Sequence, residues 1–342
     1  MNAQFSPMEY AFLLVPLVAF AVSWIAQRLL LNSSLANSTL DYPNHRSLHR
    51  QPTPRTGGVA IALGIGSAWL LLPATPWLPA LGGAALALAA VSLVDDMRGL
   101  SAAMRLAAHF AVCAAFLATL GVEWQWALLL LLPMMWSVNL YNFMDGLDGL
   151  AAGMTVLGFG AYALSALLQG SAVMALLSLC ISAAALGFLP FNFAPAKVFL
   201  GDAGSIPLGF LAAAIGIDGW RQGLWQLWFP LMVFSPFIVD ATVTLAERAA
   251  RGARLTEAHS EHYYQRLARL GFGHRHTALL EYALMLLAAA AALIAATGAG
   301  AAPVFALAGL AALEIACLVA VDRAWRRNRM ENGQYQQQGP QR

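Results

Sequence analysis

The sequence predicts an all-α, polytopic membrane fold of about eleven transmembrane helices, and three observations carry that expectation. Hydrophobic residues make up 60% of the 342 and charged residues only 11%, against about 25% charge in ordinary soluble domains. Mean hydropathy is +0.65. Apolar runs near the ~20 residues that cross a bilayer as helix recur along the whole chain, with no polar block long enough to form a separate soluble domain. Residues 1–342 are therefore read as one integral-membrane domain, and a soluble globular enzyme is excluded. Cys113, Cys180 and Cys317 each lie in an apolar run without metal-ligand spacing and are read as packing residues.

In chain order the expected spans cover 10–31, 57–77, 79–94, 102–121, 125–141, 149–168, 171–192, 204–218, 224–245, 277–297 and 301–321. The first follows a nearly uncharged start without a small-residue cleavage pattern, so it is read as a retained span. With the N-terminus outside, the inner segments become 32–56, 95–101, 142–148, 193–203, 246–276 and the tail from Asp322. Of the 19 Lys and Arg residues only Arg221 then lies on the outer side, and the positive-inside rule fixes this orientation with the C-terminus in the cytoplasm. The outer loops PATPWLP and GVEWQ are short and carry interfacial Trp. The same division gathers Asp95, Asp96, Asp145, Asp148, Asp202 and Asp240 at the inner face. Carboxylates at membrane depth are costly and read as functional.

Four stretches concentrate polar chemistry. In VDDMRGLSAAMRL, adjacent aspartates lie about 100° apart on a helix, so Asp95 and Asp96 address different partners, and Gly99 favours a helix end there. Arg98 and Arg105 beside them suit phosphate and positive-inside topology equally. In NLYNFMDGLDGL, Gly146 and Gly149 predict a broken helix that offers Asn142, Asp145 and Asp148 to a polar ligand. Such a break is tolerated at a membrane only where it lines a wet cavity. Amides and carboxylates are hard oxygen ligands for Mg²⁺ and equally partners for a base and ribose. In FNFAPAKVFLGDAGSIPLG, the amides after Gly204 open a helix whose N-terminus suits phosphate, next to Asp202. Lys197, the single lysine, reads as a phosphate contact or an interfacial anchor.

Two inner loops add cations. DYPNHRSLHRQPTPRTGG carries His45, Arg46, His49, Arg50 and Arg55, which fit phosphate or anionic headgroups as well as a topology-setting role. EAHSEHYYQRLARLGFGHRHT places His259 and His262 three residues apart, with no Cys or carboxylate to complete a tetrahedral zinc set. Phosphate contacts by His259, His262 and Arg266 fit better.

DDMRGLSAAMR, NLYNFMDGLDGL, FLGDAGS and the histidine-bearing last loop occur together in the order and spacing of the polyprenyl-phosphate sugar-1-phosphate transferases, glycosyl transferase family 4, which the chain resembles along its length. It resembles the WecA and WbpL branch, which starts O-antigen and related glycan assembly, more than the MraY branch of peptidoglycan synthesis. MraY-type enzymes carry adjacent histidines where this chain has AHSEHYYQRL. The resemblance implies transfer of a sugar 1-phosphate from a UDP-N-acetyl sugar to undecaprenyl phosphate with release of UMP, at the cytoplasmic face of a bacterial inner membrane. It implies Mg²⁺, with Mn²⁺ as the alternative ion, on Asp202 and Asn142. Asp95 corresponds to the catalytic acid, which activates the lipid phosphate or, in a double displacement, attacks the donor's diphosphate, and Asp96 supports it. Asn192 and Phe199 correspond to uracil contacts, and Asp145 and Asp148 to acids of the nucleotide pocket. Arg105, His259 and His262 correspond to phosphate and sugar contacts. Partners are the two substrates and membrane lipid, with a homodimer left open and no nucleic acid. Within the enzyme class the alternative is phospho-MurNAc-pentapeptide transfer. Outside it stands an ion-coupled transporter, which predicts acids at the bilayer midplane and an internal repeat. A scaffold has no use for clustered Asp and Asn.

Overall fold

The computed structural model describes residues 7–43, 47–48, 51–73, 75–254, 257 and 259–337. His45, Arg46, His49 and Arg50 of the cationic loop lie outside them. Helix α1 (Pro7–Leu30) leads through a short α2 (Ser34–Ser38) to a two-stranded antiparallel ribbon, β1 (Leu40–Asp41) with β2 (Thr53–Pro54), in register Leu40 to Pro54 and Asp41 to Thr53. Then follow α3 (Gly57–Trp69), α4 (Leu78–Arg98), α5 (Ala102–Thr119), α6 (Trp124–Phe143), α7 (Leu150–Leu168), α8 (Ala172–Asn192) and α9 (Asp202–Arg221). The chain closes with α10 (Trp228–Val233), α11 (Ser235–Ala250), a five-residue α12 (Tyr263–Leu267), a π-turn (Ala268–Phe272), α13 (Gly273–Thr297) and α14 (Ala302–Gln337).

Among the described residues nine helical segments are long and apolar enough to cross a membrane. The other two expected spans appear as shorter pieces. The run over 57–77 forms only the 13-residue α3 before the chain turns at Leu70. The run over 224–245 is divided between α10 and α11 at Phe234, where Pro236, near the start of α11, has no N–H to continue a helix through the junction.

Lipid tails are as apolar as Leu, so membrane helices associate through close packing and internal hydrogen bonds rather than hydrophobic drive. α9 shows how. Its most apolar window is 83% buried, and small residues let neighbours approach: a Cβ at Gly209 would come within 2.4 Å of the Ser137 carbonyl on α6, whose Oγ donates to the Gly209 carbonyl at 2.7 Å. α9 lies against α4 and α6, α8 against α1 and α7, and α13 against α7. By contrast α14 presents Val304, Phe305, Leu307 and Ile315 outward, as a lipid-facing helix does. The central position of α9 puts its first residue, Asp202, at one end of the bundle among the loops.

Candidate active site

The polar residues come together where two helices start behind glycines, α7 after Gly149 and α9 after Gly201. α6 ends at Phe143 and α7 begins after Gly149, whose φ of +80° is left-handed. A side chain at 149 would carry that backbone cost and meet the Tyr282 hydroxyl at 2.8 Å. The break sends the three polar residues of this stretch to different jobs. The Asn142 Nδ2 donates to Asp202 Oδ1 at 2.8 Å and to Ser205 Oγ at 3.3 Å. Asp145 is half-buried beside them. Asp148, 8% exposed, turns back into the protein to pair with His274 Nδ1 at 2.9 Å and to accept from the Ala196 N–H at 3.0 Å.

The loop between α8 and α9 is cross-braced. Asn192, at the end of α8, accepts from the Gly149 N–H at 3.1 Å and donates to the Val198 carbonyl at 3.0 Å, which ties the two loops into one wall. The Phe199 N–H donates to the Pro54 carbonyl of β2, and the carbonyls of Phe199 and Leu200 accept from the Gly57 and Gly58 N–H groups at the start of α3. α3 and α9 meet so closely that a Cβ at Gly58 would sit 2.3 Å from the Gly204 nitrogen. The ribbon therefore delivers Arg55 to the mouth of α9, paired with Asp41 at 2.7 Å and 3.9 Å from Asp96.

The last loop forms the remaining wall. Asp240 on α11 accepts from the Tyr263 N–H at 3.0 Å, the Tyr264 N–H at 2.9 Å and the Thr244 hydroxyl at 3.1 Å, and contacts His262 Nδ1 at 3.0 Å. His262 is only 3% exposed and stacks on His259 with 4.9 Å between ring centroids. Tyr264 reaches the Phe143 carbonyl at the end of α6. Burial, then the neighbouring His262 and Arg248, lower His259 to about 4, so its imidazole is neutral at neutral pH.

These walls enclose a cavity of about 300 Å³. Seven of the sequence-predicted residues line it: Asn142, Asp145, Asp148, Asn192, Phe199, Asp202 and His259. Four lie behind or beside it. Asp95 and Asp96 divide as adjacent helical residues must: Asp95 is held by the Leu100 N–H at 2.7 Å and by Arg105 at 2.8 Å, whereas Asp96 lies on the side of Arg55 and within electrostatic reach of Asp202. Arg105 thus engages Asp95, and His262 is a buried support. The cavity also takes in Arg55, one of the loop cations that fit phosphate, together with Gln265 and His274, which the sequence does not mark as site residues. Arg55 and His274 sit within quoted motifs, but their partners Asp41 and Asp148 are distant or hidden in pattern. Asp148 and His274 are 126 residues apart.

Burial, and then the charge of Asp202, push the Asp145 carboxyl well above its ordinary range, with Arg55 and the Gly201 N–H acting the other way. Carboxylates that oppose one another, Asp145 and Asp202, are an oxygen donor set short of positive charge and suit a divalent cation such as Mg²⁺. No three His, Cys, Asp or Glu side chains among the described residues cluster tightly enough to cage an ion.

Residues 78–219 match the model of glycosyl transferase family 4. Over 312 residues the chain is 31% identical to the decaprenyl-phosphate N-acetylglucosaminephosphotransferase of Mycolicibacterium smegmatis, covering 77% of this chain and 75% of that one. A Bacillus subtilis protein named as a probable undecaprenyl-phosphate N-acetylglucosaminyl 1-phosphate transferase is 28% identical over 291 residues, 80% of each chain. The phospho-N-acetylmuramoyl-pentapeptide-transferase of Shouchella clausii is 36% identical over 196 residues, 48% of this chain and 60% of that one.

Proposed function

The chain belongs to glycosyl transferase family 4, and from that premise we propose that it transfers a sugar 1-phosphate from a UDP-N-acetyl sugar to undecaprenyl phosphate, as the first membrane step of O-antigen or related surface-glycan synthesis. It is a multi-pass membrane enzyme that passes a sugar phosphate to a polyprenyl phosphate. The names of the relatives matched over three quarters or more of their length favour N-acetylglucosamine as the sugar. One observation carries the reading: a polar cavity lined by Asp202 and an apolar groove lined by Ala203 lie next to each other at the start of α9. The groove runs between α3, α4 and α9 from Gly58, Ala203 and Gly204 to Trp69 and Gly82, so it begins one residue from Asp202. A larger apolar groove between α6, α9 and α10 starts farther along α9, at Ala212. A water-soluble donor and a lipid acceptor need such a junction.

The reaction is a phosphoryl transfer, in which charge and alignment are the main obstacles. An oxygen of the lipid phosphate forms a bond to the sugar-bearing phosphorus of the donor. The bond from that phosphorus to the bridging oxygen breaks, and UMP leaves with the electron pair. Phe199 and Asn192 bound the cavity where uracil would lie, with Asp145 and Asp148 along the nucleotide wall. Arg55 supplies a cation between the cavity and the groove mouth. Asp96, on the same side as Arg55, is the member of the aspartate pair that faces the transfer path. Asp95 fixes Arg105, so the pair places a carboxylate and a guanidinium at the inner end of α4. Neutral His259, supported by His262, offers a hydrogen bond to sugar or phosphate rather than a charge. Mg²⁺ held by Asp202 and Asn142 would offset the diphosphate charge.

The same reading sets eleven spans with the N-terminus outside and the cavity cytoplasmic, because the cavity lies on the arginine-rich side. Purified protein in detergent, given Mg²⁺ and undecaprenyl phosphate, should release UMP from one member of a panel of UDP-N-acetyl sugars. UMP release that does not require the lipid, or folded protein that binds no UDP, would overturn the proposal.

A further inference from the structure

The strap of residues 259–269 has two faces. His259 and Gln265 line the cavity described above, whereas Ser260, Glu261, Arg266 and Arg269 line another, of about 660 Å³, on its far side. The opposite walls are the end of α11 at Arg251 and the segment of α14 from Asp322 to Arg329. No step of the proposed reaction uses this cavity.

Its charges do not balance. Arg266, 7% exposed in its side chain, spans Glu247 and Asp322 at 2.7 Å each. Arg251 pairs with Glu261 at 2.6 Å and Arg326 with Asp322 at 3.2 Å. Every carboxylate on the wall is thereby engaged. Among the described residues Arg269 is bonded only to Ser260, through its carbonyl at 3.1 Å and its hydroxyl at 2.8 Å. Arg329 has no partner among the described residues. Guanidiniums thus outnumber carboxylates, with a buried Arg266 as the fixed floor and Trp325, a residue type that favours the headgroup layer, in the wall. Four of the five guanidiniums are exposed around the buried Arg266, and they converge on one cavity from α11, the strap and α14.

We propose that this cavity binds a phosphate group, as the phosphodiester headgroup of an anionic membrane lipid or as free phosphate. Guanidinium forks match phosphate oxygens in geometry as well as charge. The site stands independently of the transferase reading, and its test requires no turnover.

Full-length protein in detergent, exchanged into phosphatidylglycerol or phosphatidylcholine, is weighed by native mass spectrometry for retained lipid. Wild type should retain phosphatidylglycerol in preference to phosphatidylcholine. Arg269→Gln combined with Arg329→Gln should weaken that retention by about tenfold or more, the loss of charge-assisted contacts. Arg329→Gln alone, which breaks no internal bond, should weaken it in the same direction and guards against a loosened strap. Displacement of the lipid by millimolar inorganic phosphate would identify a general phosphate site, and retention through it a headgroup site. Equal retention of the two lipids, or a preference that both variants preserve, would overturn the proposal.

Discussion

Replacing Asp240 by Ala removes an acceptor on which the whole last loop converges. Asp240 is 5% exposed and meets Tyr263 N–H, Tyr264 N–H, Thr244 Oγ1 and His262 Nδ1 within 2.9–3.1 Å. Removing one partner of a buried charged network costs about 3–5 kcal/mol. Arg266, anchored to Glu247 and Asp322, still ties down the far end of α12, so the loss falls on local opening of the strap rather than on the bundle. At 1.4 kcal/mol per tenfold, amide exchange over residues 262–266 should accelerate by about a hundred- to a few thousand-fold. His259, stacked on His262, and Gln265 would lose their fixed places in the cavity, so the KM for the sugar nucleotide should rise more than kcat falls. Asp240→Asn keeps one carbonyl oxygen and should fall between. Hydrogen-exchange mass spectrometry of the detergent-solubilised protein reads the effect directly. Exchange in 262–266 within about threefold of wild type would refute the reasoning, since the network would then carry almost none of its expected free energy.

Asp202→Asn should lower turnover by about 10²–10⁴ while leaving thermal unfolding nearly unchanged, because Asn still presents an oxygen to Asn142 Nδ2 but loses the charge; near-normal turnover would remove Asp202 from the reaction. Gly58→Val should abolish folded protein on size exclusion, since its Cβ would lie 2.3 Å from backbone of α9 that has no room to retreat; a monodisperse, active variant would contradict the packing. His259 titrates near 4 in the fold against 6.5 ordinarily, so the unfolded chain binds its proton first. Its contribution is therefore complete above pH 6.5 and is lost as pH falls toward 4. Thermal unfolding of His259→Gln should show a shallower decline across that window than wild type, and parallel curves would refute the depressed value.

Membrane helices were the easiest part of this chain to read, because one apolar solvent demands long apolar runs and the glycines at 146 and 149 stand out against them. The break at NLYNFMDGLDGL follows from local sequence, and so does a helix start in GDAGS, although α9 opens at Asp202, ahead of the expected start after Gly204. What local sequence hides is which polar residue serves ligand and which serves structure. Asp148 and His274, quoted in separate motifs, pair with each other across the fold, and the His262 imidazole is spent on Asp240. Equally hidden is the ribbon that pairs Leu40 with Pro54, since two-residue strands have no periodicity, yet it sets Arg55 beside Asp41. The short α3 reads as a full span because the apolar run continues to Leu72 after the helix has ended.

The central claim is that a sugar and its phosphate move together to the lipid. Donor labelled with ³²P at the sugar-bearing phosphorus, incubated with the purified protein, Mg²⁺ and undecaprenyl phosphate, tests it in one extraction. The account predicts that the label enters the organic phase in equal amount to unlabelled UMP in the aqueous phase. Label that remains in water as UDP, with the sugar alone in the lipid, would contradict it.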